Sequence, residues 1–169
     1  MGLLQSLFGP STKTREYTVE IASSIMPEAA VDAIYNARLP HLKTDRLFMK
    51  KGEVIHYIDK AIQMKPNVKR IYSKLGAGFN IWGAIITRGF IEPEEYQYWD
   101  QIKGILYITN KRTVFEAESN GFDKPHSSLT STISYSNAVN LQFDSTHYCI
   151  VVPDGNLTEK LYSRLRTNS

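Results

Sequence analysis

Past about residue 47 the apolar residues stop recurring every three or four positions. They alternate instead, in short runs broken by turn residues, until the last stretch returns to helical spacing. That pattern commits the chain to many short strands followed by one amphipathic helix. Glu53 to Met64 reads as a strand, with Val54, His56 and Ile58 on one face and Ile55, Tyr57, Asp59 and Ala61 on the other. Pro66-Asn67 marks a turn and Val68 to Ser73 a return strand. Gly76 to Gly78 bends the chain, and Phe79 to Phe90 is again strand-like. Residues 91–103 form a polar, acidic connection. Gly104 to Thr109, the turn Asn110-Lys111 and Arg112 to Ala117 make the strongest hairpin signal in the chain. A loop follows over Glu118 to Pro125. Ser128 to Tyr135, Val139 to Phe143 and His147 to Val152 complete the strands, with turns at Ser136-Asn137 and Asp144-Ser145. In the closing segment Asp154 suits an N-cap, and Leu157, Leu161 and Leu165 form one apolar stripe. The expected class is α+β: a small antiparallel β-barrel or sandwich whose open end the C-terminal helix plugs.

Ahead of the strands the spacing is helical. Leu3, Leu4, Leu7 and Phe8 fit two turns that Gly9-Pro10 stops, and residues 11–18 look like a linker. A short helix is expected at about 18–25. A clearer one covers 27–38, with Pro27 at its start, Ala29, Ala30, Ala33 and Ala37 favouring it, and Pro40 beyond its end. Two regions follow: an N-terminal helical extension over 1–45, and a strand-rich domain with its capping helix over 46–169. Gly2 and Ser6 also fit the short N-myristoylation pattern.

Composition excludes several classes. With 42% hydrophobic and 22% charged residues, the chain has the balance of a folded domain rather than a disordered one. No apolar run is long enough to cross a membrane as a helix, and no secretory signal pattern opens the sequence. Cys149 is the only cysteine, which removes disulfides and cysteine-based zinc clusters and points to the cytoplasm. A net charge of +3 is too small to point to nucleic acid. Its distribution is uneven. Residues 1–90 carry 13 Lys and Arg against 7 Asp and Glu, and residues 91–169 carry 7 against 10. The basic excess gathers over 43–74, through Lys43, Arg46, Lys50, Lys51, Lys60, Lys65, Lys69, Arg70 and Lys74. The acidic cluster is Glu92, Glu94, Glu95 and Asp100.

The residues supply no catalytic constellation. His41, His56, His126 and His147 lack metal-ligand spacing, and Cys149 lies in an apolar strand with no histidine placed beside it by the sequence. No GxSxG, P-loop or GxGxxG occurs. The expectation is therefore a non-enzymatic protein with no cofactor and no metal.

The run GILYITNKRTVFEAES, Gly104 to Ser119, resembles the central hairpin of bacterial pleckstrin-homology-like and GRAM-like domains, matching at Gly104, Leu106, Ile108, Thr109, Asn110, Arg112 and Phe115. LFMKKGEVIHYIDKA, Leu47 to Ala61, is similar to the L-x-x-G-E first strand of such proteins, and the 154–165 helix stands where that fold has its C-terminal helix. The resemblance covers roughly 47–166. It implies a pleckstrin-homology-like fold and leaves the ligand open, because that fold hosts lipid-binding, protein-binding and architectural members. The motif also has a structural account: Gly104 enters a crowded corner, Asn110 serves the turn, and Arg112 pairs with an acidic neighbour or covers the sheet with its stem.

Two surfaces are candidates. Glu94, Glu95, Tyr96, Tyr98 and Trp99 combine acid and aromatic residues where core demands are weakest, which suits a protein partner and an adaptor or regulatory role. The plainer alternative is that these aromatics fold back on the sheet. Lys65, Lys69, Arg70 and Lys74 suit an anionic membrane surface or lipid headgroup. They lack the basic-x-Arg spacing of phosphoinositide-binding pleckstrin-homology domains, since Ile71 follows Arg70. Nucleic acid is a weaker alternative for that stripe, with Tyr72 and Phe79 stacking on bases. The N-terminal helices offer a surface for self-association.

Overall fold

The computed structural model describes residues 19–20, 23–71 and 94–167. Seven strands form one antiparallel sheet: β1 (Ile55–Ile71), β2 (Glu94–Thr109), β3 (Arg112–Glu116), β4 (Phe122–Pro125), β5 (Leu129–Tyr135), β6 (Ala138–Phe143) and β7 (Thr146–Val151). Among the described residues two helices accompany it, α1 (Glu28–Tyr35) and α2 (Gly155–Thr167). The class is α+β, as expected. The sheet order is β4-β3-β2-β1-β7-β6-β5, so β4 and β5 are the outer strands among the described residues, and they do not pair to close the sheet.

The connection between those edges dictates the shape. A single 3-10 turn, His126–Ser128, links the end of β4 to the start of β5. Four backbone steps span at most about 14 Å. Across a flat seven-stranded sheet the outer strands would stand roughly 29 Å apart. The sheet must therefore curl until its edges approach without pairing. The rings confirm the approach: Phe122 of β4 lies 4.0 Å, centroid to centroid, from Tyr148 of β7 and 6.3 Å from Phe143 of β6.

The concave face holds the core. Tyr57 and Ala61 of β1, Leu106 and Ile108 of β2, Phe115 of β3, Val139, Leu141 and Phe143 of β6 and Ile150 of β7 are all buried there. Leu157, Leu161 and Leu165 of α2 complete it, as their spacing predicts. Asp154 caps that helix: its Oδ1 accepts the Leu157 N–H at 3.0 Å. Gly155 begins it against the β5–β6 turn, where a Cβ would lie 1.9 Å from the Tyr135 carbonyl oxygen.

The N-terminal helix belongs to the same core. Met26, Ala30 and Ile34 pack within it. Tyr35 Oη donates to Asp154 Oδ2 at 2.6 Å, and Arg164 Nε donates to the Ala37 carbonyl at 2.8 Å. The helix is shorter than the expected 27–38 because Ala37 takes a left-handed conformation, φ 58°, and ends it. No helix forms among the described residues of 18–25. There Ser24 Oγ and the Ile25 N–H donate to the buried Asp59 carboxylate of β1 at 2.6 and 2.8 Å. The expected helix over 1–9, Gly2 and Ser6, the Gly76 to Gly78 bend and the strand over 79–90 lie outside the described residues.

Three further expectations change. Pro66-Asn67 is not a turn, since β1 runs through both residues to Ile71. Pro66 sits past Met64, the last residue β7 pairs with. There β1 has one neighbour among the described strands, the edge-like setting in which a proline is tolerated. Part of the supposed acidic connection over 91–103 is strand: β2 starts at Glu94 and is the true partner of β1, in register from Ile55↔Thr109 to Ile71↔Glu94. Within the supposed loop 118–125, Phe122–Pro125 pairs with β3 as an edge strand. No helix of the described residues is long and apolar enough to cross a membrane.

Candidate functional site

The β2–β3 turn and the chain entering β1 meet in one polar cluster. Arg112, at the start of β3, is 6% exposed. Its Nε donates to Glu53 Oε1 at 2.7 Å, its Nη2 to Glu53 Oε2 at 3.1 Å and to the Phe48 carbonyl at 2.6 Å, and its Nη1 bonds Asp123. Glu53 also accepts from Thr109 Oγ1 at 2.9 Å and from the Lys50 N–H at 2.7 Å. Burial alone would raise the Glu53 carboxyl. The bonds from Arg112, Lys50 and Thr109 outweigh it and hold the group below its usual range. Asn110 accepts the Val54 N–H at 2.9 Å and donates to the Gly52 carbonyl at 3.1 Å. Gly104 is required because a Cβ would lie 2.3 Å from the Glu116 carbonyl oxygen. Every polar member of the hairpin motif thus fastens the β2–β3 turn to the chain entering β1.

Burial also governs His56, His126 and Cys149. His56 is buried with Nδ1 2.6 Å from the Pro40 carbonyl oxygen, which makes Nδ1 the protonated nitrogen, and burial lowers its pKa. His126 Nε2 lies 3.2 Å from Thr113 Oγ1, and burial brings its pKa to about 4. Cys149 is half-buried and its thiol is pushed up to about 11 by burial, which leaves it a poor nucleophile. No group of three His, Cys, Asp or Glu among the described residues is placed to hold a metal ion. A hollow of about 120 Å³ lined by Lys60, Ile62, Lys103 and Val151 is small for a ligand, whereas a cleft of about 560 Å³ beside Tyr35, Lys160 and Arg164 and another of about 470 Å³ beside Lys111, His126, Tyr162 and Arg166 reach the volume of ligand sites, about 300 Å³ or more.

The candidate binding residues gather on one feature. Beyond Met64 of β1 and Ile105 of β2 the pairing to β7 and β3 ends, while β1 and β2 stay paired to each other. This two-stranded ribbon carries Lys65, Lys69 and Arg70 on β1 and Glu94, Glu95, Tyr96, Tyr98 and Trp99 on β2. Lys74 lies outside the described residues. The basic and acidic segments, read from the sequence as two surfaces, are therefore the two strands of one. Lys65 stands opposite Asp100, Lys69 opposite Tyr96 and Arg70 opposite Glu95. Lys65 Nζ donates to Asn120 Oδ1 at 3.0 Å, and Asn67 Nδ2 donates to Asp100 Oδ2 at 3.0 Å. Trp99 is partly buried against a small cluster on the convex face, Ile62, Met64, Ala138 and Val151. It folds back on the sheet in the way the plainer reading of these aromatics expects.

A second exposed feature, in the loop entering β1, carries no motif. Phe48 is 89% exposed, between the half-buried Leu47 and Met49. The available signal is an apolar triplet interrupting the run of Lys43, Arg46, Lys50 and Lys51.

Compared with protein-family models, with curated proteins and with solved structures, the chain has no match.

Proposed function

We propose that this chain is a non-catalytic pleckstrin-homology-like, GRAM-like module that recognises a protein partner through the β1–β2 ribbon, in an adaptor or regulatory role. One observation carries the reading: the β1–β2 ladder continues from Lys65↔Asp100 to Ile71↔Glu94, beyond the last residues that β7 and β3 pair with. Over Glu94 to Gly104 no other described strand pairs with the flank of β2 away from β1. A peptide could add there as a further strand, with main-chain bonds supplying affinity. Glu94 and Glu95 near the end of the ribbon favour a partner carrying positive charge. The fold assignment draws on seven antiparallel strands followed by a helix sealing their concave face, together with the hairpin motif. The non-catalytic reading draws on the structural engagement of Arg112, Glu53, His56 and His126.

The test is affinity capture by the full chain from its native host, compared with Glu94→Lys/Glu95→Lys and with Tyr98→Ala. These avoid Trp99, whose loss would also disturb the Ile62 and Met64 cluster. A stoichiometric protein held by the wild type and lost from the charge-reversed variant is expected. The same proteins captured equally by all three would remove the ribbon as the docking site.

A further inference from the structure

We infer that the cleft between the C-terminal turns of α2 and the β2–β3 turn binds a small organic carboxylate, its charge held by Lys111 and Arg166 and its apolar body seated on Leu129, Tyr162 and Leu165. The cleft encloses about 470 Å³, within the range of small-molecule sites. The described residues that line it include two exposed cations, Lys111 and Arg166, and no acid. The larger cleft beside Tyr35 differs in this respect, since Glu159 lies there with Lys160 and Arg164. Tyr162 and Leu165, both buried, and Leu129, half-buried, give the cleft an apolar wall next to its cations. Charge at one part and apolar surface at another describe an amphipathic anion.

The walls are held in place by their own bonds. The His126 N–H donates to the Lys111 carbonyl at 2.9 Å and ties the 3-10 turn to the β2–β3 turn. Thr113 Oγ1 stands 2.8 Å from Tyr162 Oη and 3.2 Å from His126 Nε2, so one residue of β3 fixes both rings. Lys111 Nζ donates to the Lys51 carbonyl at 2.5 Å, and Arg166 Nη2 donates to Thr132 Oγ1 at 3.3 Å. Each contact occupies one of several N–H donors on its cation and leaves the others for a ligand. Little ordering cost then attends binding. The position of the cations selects a carboxylate over a phosphate. Arg166 lies in the last turn of α2, where the helix carbonyls concentrate partial negative charge. That charge opposes a doubly charged phosphate more than a singly charged carboxylate, and no α-helix N-terminus among the described residues lines the cleft to offset it. The planar guanidinium also matches the two oxygens of a carboxylate.

The experiment is calorimetric titration of the full chain at low salt with phenylpropionate and with octanoate, which carry one carboxylate on a ring or on a chain. At least one should bind saturably with a Kd of about 1 mM or below, which ligands of this size reach at ordinary efficiency. Phenylpropionamide and octanamide keep the apolar body without the charge and should bind at least about tenfold more weakly. Inorganic phosphate, a charge without the body, should also bind more weakly. Lys111→Gln and Arg166→Gln should each weaken the carboxylate about tenfold. Thermal melting of both variants should match wild type, because the substituted side chains are exposed. Glu94→Lys/Glu95→Lys should leave the affinity unchanged, which separates this cleft from the ribbon. Absence of saturable binding by both carboxylates overturns the inference. So does binding that the amides equal, or that neither Gln variant weakens. Tighter binding of inorganic phosphate than of either carboxylate would assign the cleft to a different anion and overturn it as well.

Discussion

Arg112 illustrates how little a buried ion pair says about net stability and how much it says about position. Taking both charges from water costs roughly what their attraction returns, so the Arg112–Glu53 pair is weak as a stabiliser. Removing one member is another matter, because Glu53 would stay buried with its charge opposed only by Thr109 and the Lys50 amide. Arg112→Met is expected to lower unfolding free energy by about 3–5 kcal/mol. Arg112→Met/Glu53→Gln should recover a large part of that loss, as the buried charge goes with its partner. Urea unfolding of the wild type and both variants measures the difference. A double variant as unstable as the single one would mean that the pair holds the Phe48–Lys50 loop through geometry that no neutral replacement can supply.

At the scale of elements, the termini of α2 concentrate several functions in few residues. Asp154 caps the helix through Oδ1 and anchors Tyr35 of α1 through Oδ2. The carboxylate raises the Tyr35 hydroxyl to about 12 by that hydrogen bond, with burial adding to it. Asp154→Ala should cost about 1–2 kcal/mol, from the lost cap and the lost inter-helix bond together. Tyr35→Phe removes only the second and should cost less than about 1 kcal/mol. Chemical denaturation of the two variants separates the contributions, and equal losses would show that the cap adds nothing here. This helix was legible in the sequence because its information is local: an N-cap residue, then leucines four apart. The β2–β3 hairpin was legible for the same reason, through Asn110 between two apolar alternations. The long β1–β2 ladder was not. Its strands are joined through residues 72–93, and its outer half is polar, so neither proximity nor alternation marks the pairing of Arg70 with Glu95. Pro66 then reads as a break, because a sequence window cannot show that β7 has already left that flank. β4 is missed because four residues, two of them charged, carry too short a pattern. The candidate site suffers in the same way. Its residues were singled out individually, but their union on one ribbon depends on a register that only the folded chain specifies.

For the molecule as a whole, the question is what keeps an unclosed sheet curled. Hydrogen bonding cannot, since β4 and β5 do not pair. The 3-10 turn limits how far the edges can separate, but a tether supplies no attraction. The attraction comes from side chains that bridge the two wings, and Phe122 is the clearest of them. It packs against Phe115 of the neighbouring β3 at 5.9 Å, and against Phe143 and Tyr148 of the opposite wing at 6.3 and 4.0 Å. Phe122 is partly buried, so area alone would rank it below Phe115 or Phe143. Its position gives it more weight than its area, because the two wings meet across it. Phe122→Ala should cost about 3–5 kcal/mol, in the range of a fully buried phenylalanine. Phe122→Leu should restore most of the loss, since an aliphatic side chain still fills the gap between the wings. Because α1, both wings and α2 share one core cluster, the loss should appear as a lower urea midpoint with an unchanged slope in a single transition. A Phe122→Ala protein that loses under about 1 kcal/mol would shift the holding force to α2, whose Leu157, Leu161 and Leu165 would then be the contacts that keep the sheet bent.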